Sequence, residues 1–261
     1  MLRIDDTGTG PPVVLLHGLT ATRRYVLHGS RLLTRERYRL ISYDARAHGE
    51  SDPGDGYEYS DLAADLVSVL DSRAIDAAVL VGHSMGAATA VRLALEHPER
   101  VTGLVQITPA YPGEPYLDDA ALAYWDRLAA GLESDGADGF MRAFEPPEDE
   151  RWSEPVLKFT RQRIERHLHP EALARAVRVV PRSAAFDGIA RLERIDVPAL
   201  VVGSRDDADP AHPLAVAQEY ARRLPRAELV VEDEGDAPLA WQGAQLSHAI
   251  LAWLGRAGAV S

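Results

Sequence analysis

The chain has no cysteine, a single lysine and no long apolar run. Without cysteine there is no thiol nucleophile, no thiolate metal site and no disulfide framework, and nothing reports an oxidising compartment. Lys158 is the only lysine among 28 basic residues, which reads as coding bias rather than chemistry. An excess of positive charge is missing too: 28 Lys and Arg stand against 40 Asp and Glu, a net charge of −12. Recognition of nucleic acid through its phosphates needs the opposite sign. Apolar runs such as residues 13–16 and 77–81 have the length of buried strands, far below the ~20 residues of a membrane span. Residues 1–6 lack the apolar core of a signal peptide. The expectation is a soluble cytoplasmic protein with neither a membrane nor a nucleic-acid partner.

What is present suits a globular enzyme-sized chain of 261 residues, 46% hydrophobic and 26% charged. Short β-branched runs at 13–16, 39–43, 78–81, 104–107, 199–202 and 228–231 alternate with helical patterns. Continuous apolar strands between helices predict a parallel sheet covered on both faces. Residues 111–186 break the alternation. They carry helical patterns over about 118–133, 155–168 and 171–180 and no convincing strand. Ligands in open α/β sheets bind beyond the carboxyl ends of the strands, so a helical insert leaving from such an end would roof the site.

Chemistry concentrates at Gly82-His83-Ser84-Met85-Gly86, a Gly-x-Ser-x-Gly between a strand and a helix. A serine whose Oγ must protrude there needs a very tight turn. A Cβ at either glycine position would crowd it. The following helix aims its N-terminal N–H groups at the site, where they can stabilise an oxyanion.

With these features the chain resembles the α/β-hydrolase family over nearly its whole length. His17-Gly18-Leu19 is similar to the family's oxyanion loop. Residues 44–51, Asp-Ala-Arg-Ala-His-Gly-Glu-Ser, resemble its Asp-x-Arg-Gly-His-Gly-x-Ser segment, with Ala47 where glycine is usual. Gly203-Ser204-Arg205-Asp206 is similar to the turn that bears the catalytic acid, and the helical insert to a cap. The resemblance implies a mostly parallel sheet of about eight strands. It further implies a core of residues 1–110 and 187–261 and a cap of 111–186. Ser84 would be the nucleophile, the Leu19 and Met85 N–H groups the oxyanion hole, and Asp206 the acid, with Asp207 a neighbouring candidate. No cofactor and no metal is implied.

One part of the family pattern is missing. The base is expected after the last strand, where this chain reads Glu232-Asp233-Glu234-Gly235-Asp236-Ala237-Pro238. Asp236 stands at the usual histidine position. An ionised aspartate accepts a proton only weakly and has none to give a leaving group. Of the nine histidines, His17, His48 and His83 lie in family segments with structural roles, and His97 ends the helix after Ser84. His28, His167 and His169 are expected at the surface or in the cap, and His248 well inside the last helix. His212, six residues after Asp206 and just before Pro213, is the substitute base to weigh against a plain loop histidine. The acidic residues around 206–209 and 232–236 read as a solvated rim rather than a cation site.

Three functions compete on these residues: a hydrolase of small molecules, most simply of carboxylic esters; a binding or scaffold protein that has lost its base; and a lyase-type member of the fold. The partner is a small-molecule substrate or ligand. Trp125, Phe140, Phe144, Trp152 and Phe159 either line a pocket or pack the insert. Arg161, Arg163 and Arg166 either bind an anion or form a solvated helix face.

Overall fold

In the computed structural model, which describes residues 1–115, 118–205 and 209–258, the apolar runs pair into one sheet. Its strands are β1 (Ile4–Thr7), β2 (Pro12–Leu16), β3 (Arg39–Tyr43), β4 (Ala78–His83), β5 (Val101–Ile107), β6 (Ala199–Gly203) and β7 (Ala227–Val231). Their spatial order is β1-β3-β2-β4-β5-β6-β7, with β1 alone antiparallel, against β3. The described residues thus form seven strands where about eight were expected. The N-terminal edge is a single four-residue strand of sequence Ile-Asp-Asp-Thr. Its polar, half-exposed pattern closes the sheet rather than inviting another partner.

Because successive side chains point to opposite faces, each central strand feeds two cores. Leu16, Leu80, Leu104 and Val201 pack on one side with Leu66, Val91 and Tyr220. These three come from α2 (Tyr59–Ser72), α3 (Met85–Glu96) and α7 (Leu214–Arg223); α4 to α6, described next, lie outside this layer. Leu15, Val81, Val105 and Leu200 pack on the other side with Leu33, Ile250 and Trp253, from α1 (Leu32–Arg35) and α8 (Gly243–Ala257). Each fully buried Leu or Val contributes roughly 1.5–3 kcal/mol, so this double layer fixes the carboxyl ends of β2, β4 and β6 against one another.

Between β5 and β6 lie α4 (Asp119–Ala143), α5 (Glu150–Ile164) and α6 (Pro170–Val179). Asp118 and Asp149 start the first two by accepting the N–H groups of Ala120 and Arg151. The chain leaves helical geometry at Asp135 and Gly136, so α4 is two helical pieces across a break. The expected end near residue 133 marks that break. α5 begins five residues before Pro155, the residue expected to open it. The Asp149 cap and the Trp152 ring, 5.8 Å from Trp241, outweigh the hydrogen bond that proline removes. Leu128, Leu132, Phe140, Ile164, Leu173 and Val177 give the insert its own core, with Trp125 and Phe144 against it. Among the described residues no helix is long and apolar enough to cross a membrane.

Candidate functional site

Ser84 sits between β4 and α3 with φ +51° and ψ −110°, a backbone conformation L-residues rarely adopt. The flanking glycines make this turn possible. A Cβ on Gly82 would lie 2.4 Å from the Gly86 carbonyl oxygen, and one on Gly86 would lie 2.3 Å from that of Leu16. The Ser84 N–H donates to the Ile107 carbonyl at 3.0 Å, anchoring the turn to β5. Among the described residues the Ser84 hydroxyl makes no hydrogen bond, and the Leu19 and Met85 N–H groups are used by no other group. Two free donors beside a protruding hydroxyl are the raw material of an oxyanion hole. A Cβ on Gly18 would come within 3.0 Å of His83 Nδ1 and 3.4 Å of Ser84 Cβ, so the loop bearing Leu19 lies directly against the serine turn.

Histidines hold that loop in place. His17 Nδ1 donates to the Gly18 carbonyl at 2.8 Å, and its Nε2 accepts the Ala45 N–H at 2.9 Å. His167, on the insert, donates from Nε2 to the Thr20 carbonyl at 3.0 Å and accepts the Gly49 N–H on Nδ1 at 2.9 Å. His28 joins the Ala240 carbonyl at 2.9 Å. His28 and His167, expected at the surface or in the cap, are therefore buried or half-buried ties between segments. Beneath them Asp44 is fully buried and accepts the N–H groups of Arg23 and Glu50 and the Arg23 guanidinium. Ala47 adopts φ +64°, which explains why glycine suits this position.

The His17 and His167 ties work only with neutral imidazoles, since a protonated ring would turn an N–H against the Ala45 or Gly49 N–H it now accepts. Burial holds His167 down to about 4 and His83 down to about 3, from an ordinary 6.5. Burial also lowers His17 and His48. Between the folded and unfolded values the unfolded chain binds more protons. The histidine contribution is therefore complete above about pH 6.5 and is lost as pH falls toward about 4. Urea midpoints should drop steadily from neutral pH to about pH 5. The drop should be shallower in His167→Gln, and an equal slope in both proteins would contradict this assignment.

The candidate bases occupy different surroundings. Asp236 is exposed after β7, and its only hydrogen bond among the described residues is its own N–H to the Asp233 carbonyl at 3.1 Å. Asp206 and Asp207 lie outside the described residues. His212 is half-buried, and its Nδ1 meets both carboxylate oxygens of Asp209 at 2.8 and 2.9 Å. Its ring centroid is 5.5 Å from that of His83, the residue preceding Ser84. Burial pushes the Asp209 carboxyl up, but the charge and hydrogen bond of His212, with His83 and Arg163 beyond, hold it below its usual range. Asp209 thus fixes the Nδ1–H tautomer and leaves His212 Nε2 as an acceptor.

Asp209 escaped the sequence reading as a partner; the signal was an Asp three residues before a His across a turn. Glu232, counted with the solvated acidic rim, is in fact buried. It accepts the Arg205 N–H at 2.7 Å, tying the loops after β6 and β7. Among the described residues no group of three or more His, Asp or Glu is placed to hold a metal ion. An open depression of about 800 Å³ lies elsewhere, lined by Asp126, Arg178, Arg182 and others, and contains none of the candidate residues.

Comparisons with known proteins agree with this fold. The alpha/beta hydrolase fold family matches residues 11–187. The AB hydrolase superfamily protein YisY of Bacillus subtilis (strain 168) is 26% identical over 245 residues, covering 88% of this chain and 85% of that one. The putative carbamate hydrolase RutD of Caulobacter segnis is 30% identical over 236 residues, covering 84% of this chain and 82% of its own. A solved thermophilic esterase from Thermogutta terrifontis is similar over 100% of this chain and 94% of its own, with TM-score 0.82 and 27% identity.

Proposed function

The chain belongs to the α/β-hydrolase fold family, and on that premise we propose that it is a serine hydrolase of small molecules, most simply of carboxylic esters, working through an acyl-enzyme on Ser84. The observation that carries this reading is the Ser84 turn, with its protruding hydroxyl and the two unused N–H groups of Leu19 and Met85. In this reading the core comprises residues 1–110 and 187–261, and the cap comprises residues 111–186.

The chemistry follows from the groups named. Ser84 Oγ attacks the ester carbonyl and loses its proton to His212 Nε2. Asp209 steadies the imidazolium through Nδ1–H. The Leu19 and Met85 N–H groups receive the charge that develops on the carbonyl oxygen. His212 then returns the proton to the departing alcohol, which leaves the acyl group on Ser84. Water repeats the sequence and frees the acid. Among the described residues Ser84 Oγ makes no hydrogen bond; contacts between nucleophile and base commonly tighten only in the substrate complex.

The second reading, a binding protein on a hydrolase fold, draws on the exposed aspartate at position 236. A fluorophosphonate probe separates the two. Covalent labelling at Ser84, lost in Ser84→Ala, is expected from an activated nucleophile. No labelling beside a labelled control hydrolase sinks the hydrolase reading and leaves the binding protein.

A further inference from the structure

Three arginines near the end of α5 share a helical spacing but not an environment. Arg161 pairs with Asp138 at 2.7 Å and reaches Glu165 at 3.4 Å. Arg166 donates to the Tyr25 hydroxyl at 2.9 Å. Arg163 has neither an ion pair nor a hydrogen bond from its guanidinium among the described residues, and its Nε is sealed from solvent without an acceptor. The Phe159 ring centroid lies 5.8 Å from its guanidinium carbon.

The neighbours of Arg163 connect it to the loop after β2 and to the charged groups around the serine turn. Phe159 packs against Tyr25 and His28, on the loop that follows β2 and Leu19. The Arg163 charge acts on Asp209 and on His83, the residue before Ser84. Burial lowers Arg163 to about 10, which leaves it cationic at neutral pH. Arg163 is half-buried, and its sealed Nε without an acceptor carries a cost that an anionic ligand would remove. Asp209 attracts Arg163 through charge but makes neither an ion pair nor a hydrogen bond with it among the described residues.

We propose that Arg163 receives a carboxylate of the substrate, so that the site takes acyl compounds bearing a free carboxylate beside the bond to be cut. For turnover this rests on the serine-hydrolase reading; for binding it does not. A guanidinium fork matches a carboxylate with two parallel N–H···O bonds. The charge balance favours a monoanion. Arg163 is one cation with the Asp209 carboxylate nearby. His83 and His28 are held neutral by burial, and Lys158 on the same helix is exposed. A doubly charged phosphate would meet too little positive charge there.

The test uses the monomethyl esters of succinate, glutarate and adipate beside the corresponding dimethyl esters. Calorimetry on the wild type and on Ser84→Ala, which holds a substrate without cutting it, reads binding. Hydrolysis by the wild type reads turnover. At least one monoester is expected to bind about 10–100-fold tighter than its diester, the range for a hydrogen-bonded charge. Arg163→Gln should erase that difference and lower the monoester-to-diester ratio of kcat/KM by a similar factor. Arg163→Lys, which keeps the charge but loses the fork, should fall between and serves if the glutamine variant does not fold. The proposal is overturned if no monoester binds tighter than its diester, or if Arg163→Gln keeps the preference. It is equally overturned if Arg163→Gln weakens monoester and diester alike, the mark of an arginine that only supports Asp209. Arg163-dependent binding without hydrolysis would leave this inference standing and remove the hydrolase reading. Ser84-dependent hydrolysis indifferent to the carboxylate would do the reverse.

Discussion

Replacing His212 by alanine is expected to lower kcat on a small activated ester by about 10²–10⁴-fold, the usual contribution of a positioned general base. KM should change little, because the imidazole acts on the proton of Ser84 rather than on substrate already bound. Asp209→Asn should produce a loss of the same order. An asparagine amide can turn its N–H toward Nδ1, which then favours the tautomer with the proton on Nε2. The argument rests on the two contacts of 2.8 and 2.9 Å between His212 and Asp209 and on the ring of His212 lying 5.5 Å from that of His83. Asp236→His is the counterpart experiment. Asp236 is exposed and its side chain makes no hydrogen bond or ion pair among the described residues, so an imidazole there should change the rate by less than about tenfold. If Asp236→His raises hydrolysis by orders of magnitude while His212→Ala is silent, the base belongs after β7. The Asp209–His212 pair is then only structural.

How far the sequence discloses this site depends on whether the relevant constraint is local. The Gly82–Gly86 frame is legible because its reason is steric and confined to five residues: no side chain fits where these backbones meet. The helix after Ser84 is legible to the residue, over Met85–Glu96, for the same reason. The strands β2 to β7 announce themselves as apolar runs, whereas β1 is made by its partner: Ile4-Asp5-Asp6-Thr7 becomes a strand only because β3 offers an edge. Arg161, Arg163 and Arg166 are alike in sequence. Asp138, Glu165 and Tyr25 claim two of them and leave the third, and no periodicity reveals which. The pairing of Asp209 with His212 depends on a turn that places residues three apart face to face. His28 and His167, expected at the surface or in the cap, give no local sign of what they hold: His28 joins the Ala240 carbonyl, and His167 ties the insert to Thr20 and Gly49. Asp236 is singled out only by its place in a family pattern, and that says nothing of which way the residue faces.

Gly86→Ala is expected to damage catalysis more than stability. The added Cβ would meet Leu16 at 2.3 Å from its carbonyl oxygen, 2.6 Å from its carbonyl carbon and 2.7 Å from its Cβ. Two of these atoms are backbone in the middle of the sheet, so relief comes only from sliding the start of α3 away from β2. Overpacking of this kind typically costs about 1–3 kcal/mol, which the double-layered core around β2 and β4 can absorb without unfolding. The oxyanion hole cannot absorb it. In the proposed site its two N–H groups come from Met85, at the start of α3, and from Leu19, just past β2, so the same displacement would separate them. Loss of one such donor lowers kcat by about 10²–10³-fold. Gly255→Ala gives the contrast: beyond its chain neighbours and its own helix backbone, no atom of the described residues lies within 4 Å of its Cβ position on the exposed face of α8. That variant should be as active as the parent and more stable by up to about 1 kcal/mol, the helix propensity difference. Urea unfolding and ester kinetics on the two variants decide the matter. A Gly86→Ala protein that folds and retains the parent kcat would show that Met85 and Leu19 do not together hold the oxyanion.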